Sequence, residues 1–201
     1  MSLWLRPDPL VLASKSAVRR ALLEAAGIPV TVHPADIDER EIEAAAGMAE
    51  PGEVAALLAR EKALVVAASL PGRLVIGADQ TLALESQRFS KPLDKRAART
   101  QLKTLRSRTH RLYSGVAVAQ SGRVLYQHVA IASLTMREFS DSFLDAYIEA
   151  AGVAVTQSVG GYQLEGIGIH LFEKIEGDHF TILGLPLLPL LAFLRQEGSV
   201  A

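Results

Sequence analysis

From end to end, the chain switches between two hydrophobic periods. PLVLA at 9–13 is a short unbroken apolar run, the pattern of a strand buried on both faces. It passes at once into SKSAVRRALLEAAGI, where Leu22, Leu23 and Ala26 share a helical face and Gly27 stops the helix. The alternation continues. A strand is expected from Pro29 to Val32, then an acidic loop DIDEREIE, then a helix from Pro51 to about Ser69 with Val54, Leu57, Leu58, Leu64 and Val65 inward. RLVIGAD and TLALE extend to a turn at Ser86-Gln87-Arg88, and Asp94 to Arg106 is a helix with Ala98, Leu102 and Leu105 inward. LYSGVAVA and VLYQHVAIASLTM form a hairpin about Gln120-Ser121-Gly122, and Ser140 or Asp141 caps FLDAYIEAA. GIHLFEKIE is a last strand, and 183–194 is a buried C-terminal helix. Such a chain builds a mixed α/β fold, a mixed β-sheet with flanking helices.

With 201 residues, 49% of them apolar, there is core enough for one domain spanning 1–201, which excludes disorder, collagen-like repeats and coiled coil. No cysteine is present, which excludes disulfides and thiolate metal sites and fits a cytoplasmic location. Arg6, Pro7, Asp8 and Pro9 interrupt the N-terminal apolar run, so no signal peptide is expected. The segment at 183–194 contains two prolines and is too short to span a bilayer, so no membrane partner is expected either.

The net charge of −1 conceals two opposed segments. Residues 36–53 carry seven acids and one Arg, and residues 88–111 carry nine Lys or Arg and one Asp. Asp36, Asp38, Glu39 and Glu41 offer the carboxylate oxygens that Mg²⁺ or Mn²⁺ prefers, or form an exposed loop. In the basic segment, Lys95, Arg99, Lys103 and Arg106 make a stripe that reads as a solvated helix face; no aromatic residue interleaves with it, so nucleic acid is not an expected partner. Lys91, next to Pro92 and ahead of the helix, is a candidate phosphate contact.

Three further places are candidates for chemistry. Ser14, Ser16 and Arg19 stand where a strand enters a helix, an arrangement that suits a phosphate or simply caps the helix. Asp79, followed by Gln80, lies past the carboxyl end of a buried strand, where it can bind a metal, take a proton from water, or satisfy a turn. On the helix that starts at Pro51, Glu61 falls about 20° from Val54, inside the apolar sector, and Lys62 about 80° away, at its border. Glu61 is therefore expected to meet a cation and to hold Lys62 in place. The glycines at 160, 161, 166 and 168 suggest backbone brought close to something, with Gln163 and Glu165 able to read a base edge. The five His residues show no close metal spacing.

Taken in order, LASKSAVRRALLEAAGI, IDE, LAREKA, GADQ, KP, GGYQLEG and GDHFTILGLPL make the chain resemble the Maf family of nucleoside triphosphate pyrophosphatases over about 9–196. The resemblance implies two lobes about a central cleft, related to the inosine triphosphatase architecture. It implies hydrolysis of a nucleoside triphosphate to monophosphate and pyrophosphate with a divalent metal, Mg²⁺ or Mn²⁺, in a cytoplasmic homodimer. Carried over residue by residue, Ser14, Ser16 and Arg19 bind phosphate, Glu39 and Asp79 face the metal and the water, Lys62 and Lys91 are cleft lysines, and Asp79 accepts the proton. Val18, Gln80 and Glu165 stand at the positions that differ between subfamilies. Gln80 and EGIGIHLFE resemble the 7-methyl-GTP type, while Ala17-Val18 replace the family's usual Pro and that subfamily's Trp. Tyr162 is then the aromatic expected to stack on the base. The competing expectations are a dTTP/UTP-preferring enzyme of the same family and a nucleotide-binding regulator of septum formation.

Overall fold

A computed structural model describes residues 3–47 and 50–201. In chain order the elements are β1 (Leu10–Leu12), α1 (Ala17–Ala25), β2 (Val30–Val32), α2 (Glu39–Ala46), α3 (Pro51–Ser69), β3 (Val75–Leu84), β4 (Gln87–Phe89) and α4 (Lys95–Leu105). They continue with β5 (Thr109–Gln120), β6 (Arg123–Met136), α5 (Asp141–Ala151), α6 (Ala154–Gln157), β7 (Phe172–Glu176), α7 (His179–Ile182) and α8 (Leu187–Gln196). The seven strands form one mixed sheet in the order β2-β1-β3-β5-β6-β7, with β4 pairing β3. The expected α/β class is therefore what the chain adopts. By contacts the chain divides into two compact units, one holding the residues up to Gln80 with Ser114–Ala130 and His179–Ala201, the other Thr81–Tyr113 with Ile131–Asp178.

In the first unit β1 pairs in parallel with β2 (Leu10↔Val30) and with β3 (Val11↔Val75). Because successive side chains point to opposite faces, Leu10 and Leu12 join a core with Leu23, Ile76, Leu190 and Phe193. Val11 and Ala13 join a second core with Ala59, Ala63, Val66 and Ala67 of α3. Both faces of β1 are covered, which is why PLVLA carries no polar alternation. The side of α3 turned to the sheet is mostly alanine, with Val66, and β3 and β5 meet it with glycines. A Cβ on Gly77 would lie 2.0 Å from the Ala59 carbonyl oxygen, and one on Gly115 2.4 Å from that of Ala55. Helix and strand backbones are thus in direct contact.

In the second unit β4 runs antiparallel to the end of β3 (Leu82↔Phe89) and β7 antiparallel to β6 (Leu134↔Ile175). Ala98, Leu102 and Leu105 of α4 are buried as their spacing requires, and Ser140 caps α5 through the Phe143 N–H. Gly161 rests on Ala98 and Leu102.

Several expected boundaries move. The acidic loop is largely helix: Asp38 caps α2 by accepting from the Glu41 N–H, Glu39 and Glu41 sit in the first turn, and Gly47 closes it with a φ of 60°. GIHLFEKIE is extended only from Phe172, since Ile167–Leu171 coil as a 3₁₀ turn that brings Gly168 against the Gln163 carbonyl. The C-terminal helix starts at Leu187, with Pro186 at its cap and Pro189 in a first turn where no N–H is needed. The turn after β3 is at Glu85-Ser86, leaving Gln87 and Arg88 in β4. Val65 is 43% exposed rather than inward.

Candidate active site

The close approach of α3 to β3 assembles the first unit's charged centre. Gly77 touches the helix at Ala59 and Ala63, on either side of Lys62, and Asp79 follows two residues later on β3. The Lys62 ammonium donates to Asp79 Oδ1 at 2.6 Å and pairs with Glu39 Oε1 at 2.7 Å. Glu39 reaches it from the first turn of α2. Lys62 and Asp79 side chains are only 12% and 13% exposed, while Glu39 is half exposed.

Arg19 anchors the other side. Its Nε donates to the Gly184 carbonyl at 2.7 Å, and its Nη1 to the Ala78 carbonyl at 2.8 Å and to Ser14 Oγ at 3.1 Å. Those bonds use Nε and Nη1 and leave Nη2 outside them. Ser16 caps α1 by accepting from the Arg19 N–H, and Ser14 Oγ accepts from the Ser16 N–H. The capping reading and the anion-site reading therefore describe the same residues: cap, hydroxyl and guanidinium converge at one helix start. Val18, half-buried, precedes Arg19 on α1.

Burial dominates the titration of this centre. It pushes the Asp79 carboxyl up from the ordinary Asp value against the opposing pull of Lys62 and Arg19, with Glu39 adding to the rise. Burial likewise lowers Arg19, offset in part by Asp79 and Glu39. Two cations and two carboxylates leave the centre with a formal sum of zero. It cannot by itself neutralise a polyanion. The donor set fits a hard divalent cation: each carboxylate meets Lys62 through one oxygen, and carboxylates together with substrate phosphates are the usual Mg²⁺ ligands. Among the described residues no cluster of three or more His, Cys, Asp or Glu suited to a metal is found. Glu39 and Asp79 are accordingly the pair that could hold one.

Gln80 directs its amide nitrogen to Ser114 Oγ (2.9 Å) and to the Ile182 and Thr181 carbonyls (3.0 and 3.2 Å). Ser114 Oγ also donates to the Thr181 carbonyl. Sequence reading did not single out Ser114, whose one signal is a polar side chain inside the apolar run LYSGVAVA. Nor did it find the Gly184 carbonyl, which a φ of +88° turns onto Arg19. Glu61 was expected to orient Lys62; it pairs instead with Arg60, at 2.9 Å, and Glu39 and Asp79 do the orienting. Glu61 and Lys62 differ by one residue's rotation about α3, and it is Lys62, at the helix border, whose ammonium reaches Asp79 on β3.

Lys91 and Glu165 belong to the second unit. Both are exposed there, Lys91 ahead of α4 and Glu165 in the turn 164–166. Tyr162 does not offer a free face to a base: it is 4% exposed, its OH lies 2.7 Å from His110 Nε2, and Phe172 packs edge-on against it. The glycines of this segment approach their own unit, Gly160 against Leu82 and Tyr162, Gly168 against Gln163. The basic stripe of α4 is an ion-pair ladder with α5. Lys95 meets Glu149, Arg99 meets Asp145, and Lys103 and Arg106 converge on Asp141 at 2.8 and 3.0 Å. Cations held this way are poorly disposed to track a nucleic-acid backbone.

A "Nucleoside triphosphate pyrophosphatase" of Rhodopseudomonas palustris (strain HaA2) is 56% identical over 201 residues, all of both chains. A "7-methyl-GTP pyrophosphatase" of Brucella abortus biovar 1 (strain 9-941) is 53% identical over 193 residues, 95% of this chain and 97% of that one. Among solved structures, a nucleoside-triphosphatase (dITP/XTP pyrophosphatase) of Mycobacterium abscessus overlays with a TM-score of 0.42 at 13% identity, covering 95% of each chain. The model of the "Maf-like protein" family matches residues 9–197, and with that match and these identities the chain belongs to the Maf-like family.

Proposed function

We propose that this protein hydrolyses a nucleoside triphosphate to the monophosphate and pyrophosphate, with a modified base such as that of 7-methyl-GTP as its preferred substrate. The observation that carries the hydrolytic reading is the half-desolvated Glu39–Lys62–Asp79 cluster of the first unit. A protein that only bound nucleotide would have no use for a carboxyl whose basicity burial has raised.

In this reading Asp79 takes the proton of the water that attacks the α-phosphorus, the bond to the β-phosphate oxygen breaks, and pyrophosphate leaves. A carboxylate raised above its ordinary value is a better base. Lys62 orients Asp79 and opposes part of the rise that burial causes, and Arg19 Nη2 and the Ser14–Ser16 helix start take phosphate oxygens. Glu39 and Asp79 would hold a divalent cation, which supplies charge neutralisation on the phosphates and acidifies water. Lys91 is assigned a phosphate contact and Glu165 the base, both by the family resemblance. A methyl on N7 of guanine gives the base a positive charge, which a carboxylate at Glu165 favours over an uncharged pyrimidine.

Pyrophosphate release across standard and modified nucleoside triphosphates, with Mg²⁺, Mn²⁺ or chelator, tests the proposal. Release that depends on the metal and is greatest for a 7-methylated purine is expected. Preference for dTTP or UTP would move the enzyme to the pyrimidine type, and tight binding without release would make it the binding regulator. We assign it a cytoplasmic homodimer on the same resemblance; no helix among the described residues is long and apolar enough to cross a membrane.

A further inference from the structure

One buried polar pair in the second unit has no part in the chemistry above. His110, on β5, has no solvent exposure and places Nε2 2.7 Å from the Tyr162 OH. Its Nδ1 is buried with no hydrogen-bond partner among the described residues. Burial lowers its pKa to about 4 and raises that of Tyr162, so both are neutral at working pH and the bond persists. As core filling, an imidazole with one nitrogen unpaired is inferior to Leu or Phe. What His110 supplies is the bond to Tyr162.

That bond is one of three side-chain holds on a two-residue stretch. Ser158 Oγ donates to the Tyr162 carbonyl at 2.6 Å, and the Tyr147 OH to the Gly161 carbonyl at 3.3 Å. Phe172 fixes the ring edge-on with centroids 4.8 Å apart. Directly beyond the anchor the chain closes on itself: the Gly166 N–H donates to the Gln163 carbonyl, and Gly168 packs on the same group. Glu165 stands exposed on this small closed turn, three residues from Tyr162. A turn so short moves as one piece with its anchor. Where the Tyr162 phenol is held decides where Gln163 and Glu165 begin.

We infer that the buried His110–Tyr162 pair is a positioning device for the Gln163–Glu165 turn, and so sets base selectivity from behind without touching nucleotide. This rests on the base-reading role proposed above for Glu165. Tyr162→Phe keeps the packed ring and removes one oxygen; Ser158→Ala loosens the same residue from the other side. Each is expected to raise KM for the best substrate about fivefold, the change that follows from losing one hydrogen bond. The ratio of kcat/KM between best and worst substrates narrows accordingly, with kcat within twofold of wild type. His110→Phe combined with Tyr162→Phe is expected to do no more than either alone, because one bond is shared. His110→Gln, whose amide reaches the position of Nε2, should restore part of the selectivity. Should His110→Phe fail to fold, Tyr162→Phe and Ser158→Ala decide the matter.

If those two variants keep wild-type KM and selectivity, or lose kcat at unchanged KM, the pair is only structural and the inference falls. Glu165→Gln is run beside them: a shifted profile there with no shift in Tyr162→Phe overturns the positioning role alone. Absence of pyrophosphate release by the wild type from every nucleotide would overturn both readings.

Discussion

Gly77→Ala offers a test of how the charged centre is held, because the clash it creates can be sized from the structure. The new Cβ would lie 2.0 Å from the Ala59 carbonyl oxygen and 2.6 Å from the Ala63 nitrogen, where real Cβ atoms keep at least 3.0 Å. Gly77 has no left-handed φ, so the substitution strains nothing on its own strand and the whole effect is steric. Both obstacles are helix backbone, which cannot rotate away, so α3 and β3 must part by about 1 Å or more. Overpacking of this kind costs about 1–3 kcal/mol, or about 2–12 °C in Tm for a chain of this size.

The kinetic effect should be larger than the thermal one. Ala59 and Ala63 flank Lys62, and Asp79 is two residues along the strand, so the separation falls on a bond that is 2.6 Å long. A displacement of about 1 Å at a reacting centre can lower turnover about 100-fold. Gly115→Ala is the matched control: its Cβ would meet Ala55 at 2.4 Å, seven residues before Lys62 and about 10 Å away along the helix. Pyrophosphate release at 25 °C, well below either Tm, should show a similar thermal loss in the two variants and a far greater kcat loss in Gly77→Ala. A Gly77→Ala protein melting within a degree of wild type, with kcat within twofold, would refute the claim that this contact sets the Lys62–Asp79 geometry.

Asp79→Asn should lower kcat by about 10²–10⁴, the range for loss of a general base. Its Tm near pH 8 should be no lower than wild type, because burial already disfavours the charged carboxyl that the change removes; differential scanning fluorimetry checks this. The raised Asp79 pKa also places the acid limb of kcat above the ordinary Asp value of 3.8, with activity lost as pH falls through it, and Glu165→Gln should leave that limb in place. Glu39→Gln should raise the metal concentration needed for half-maximal rate while leaving the melt without metal near wild type, since Glu39 is half exposed. Asp141 carries the opposite sign: hydrogen bonds from Lys103 and Arg106 lower it to about 2, so its contribution to stability is present above 3.8 and lost as pH falls towards 2. A Tm difference between wild type and Asp141→Asn should therefore close over that interval.

Local pattern was legible wherever one short stretch carried its own signal. The double-faced burial of β1, the extent of α3, the inward face of α4 and the Ser140 cap all follow from periodicity and capping. The errors come where two signals compete. Around Asp38, charge suggested a loop while the Asp cap, the run of alanines and Gly47 specified a helix. Around Gly168, an apolar run suggested a strand, but the contact with Gln163 needed a residue without a side chain. At the site, Ser14, Ser16, Arg19, Lys62 and Asp79 were individually ambiguous by spacing and were grouped by the family resemblance alone; the fold then bonds Arg19 to Ser14 and to the Ala78 carbonyl, and Lys62 to Asp79. Glu61 and Lys62 are neighbours whose helical angles differ by one residue's rotation. Which of them meets the sheet depends on how closely α3 lies against Gly77, and no helical angle contains that distance.

The two acid–base clusters sharpen the same point. Both contain lysine or arginine against aspartate at hydrogen-bonding distance, and a sequence shows them only as opposite charges. Around Asp141 the groups are open to water, desolvation is slight, and three cations pull the carboxyl down. Around Asp79 two cations pull as well, but desolvation exceeds them and the carboxyl rises. Attraction alone would have made Asp79 the weaker base of the pair's two possible states. Burial reverses the sign, and burial here is the product of alanines on α3 and a glycine on β3. The Asp79 pKa is therefore set less by its charged neighbours than by the small apolar residues that let a helix lie close enough to exclude water from it. Substituting those residues changes no charge, yet it should lower the Asp79 pKa towards 3.8 by letting water in. The acid limb of kcat in Gly77→Ala should accordingly move to lower pH, and a limb that moved to higher pH would show that loss of the Lys62 pairing, not entry of water, governs the Asp79 pKa.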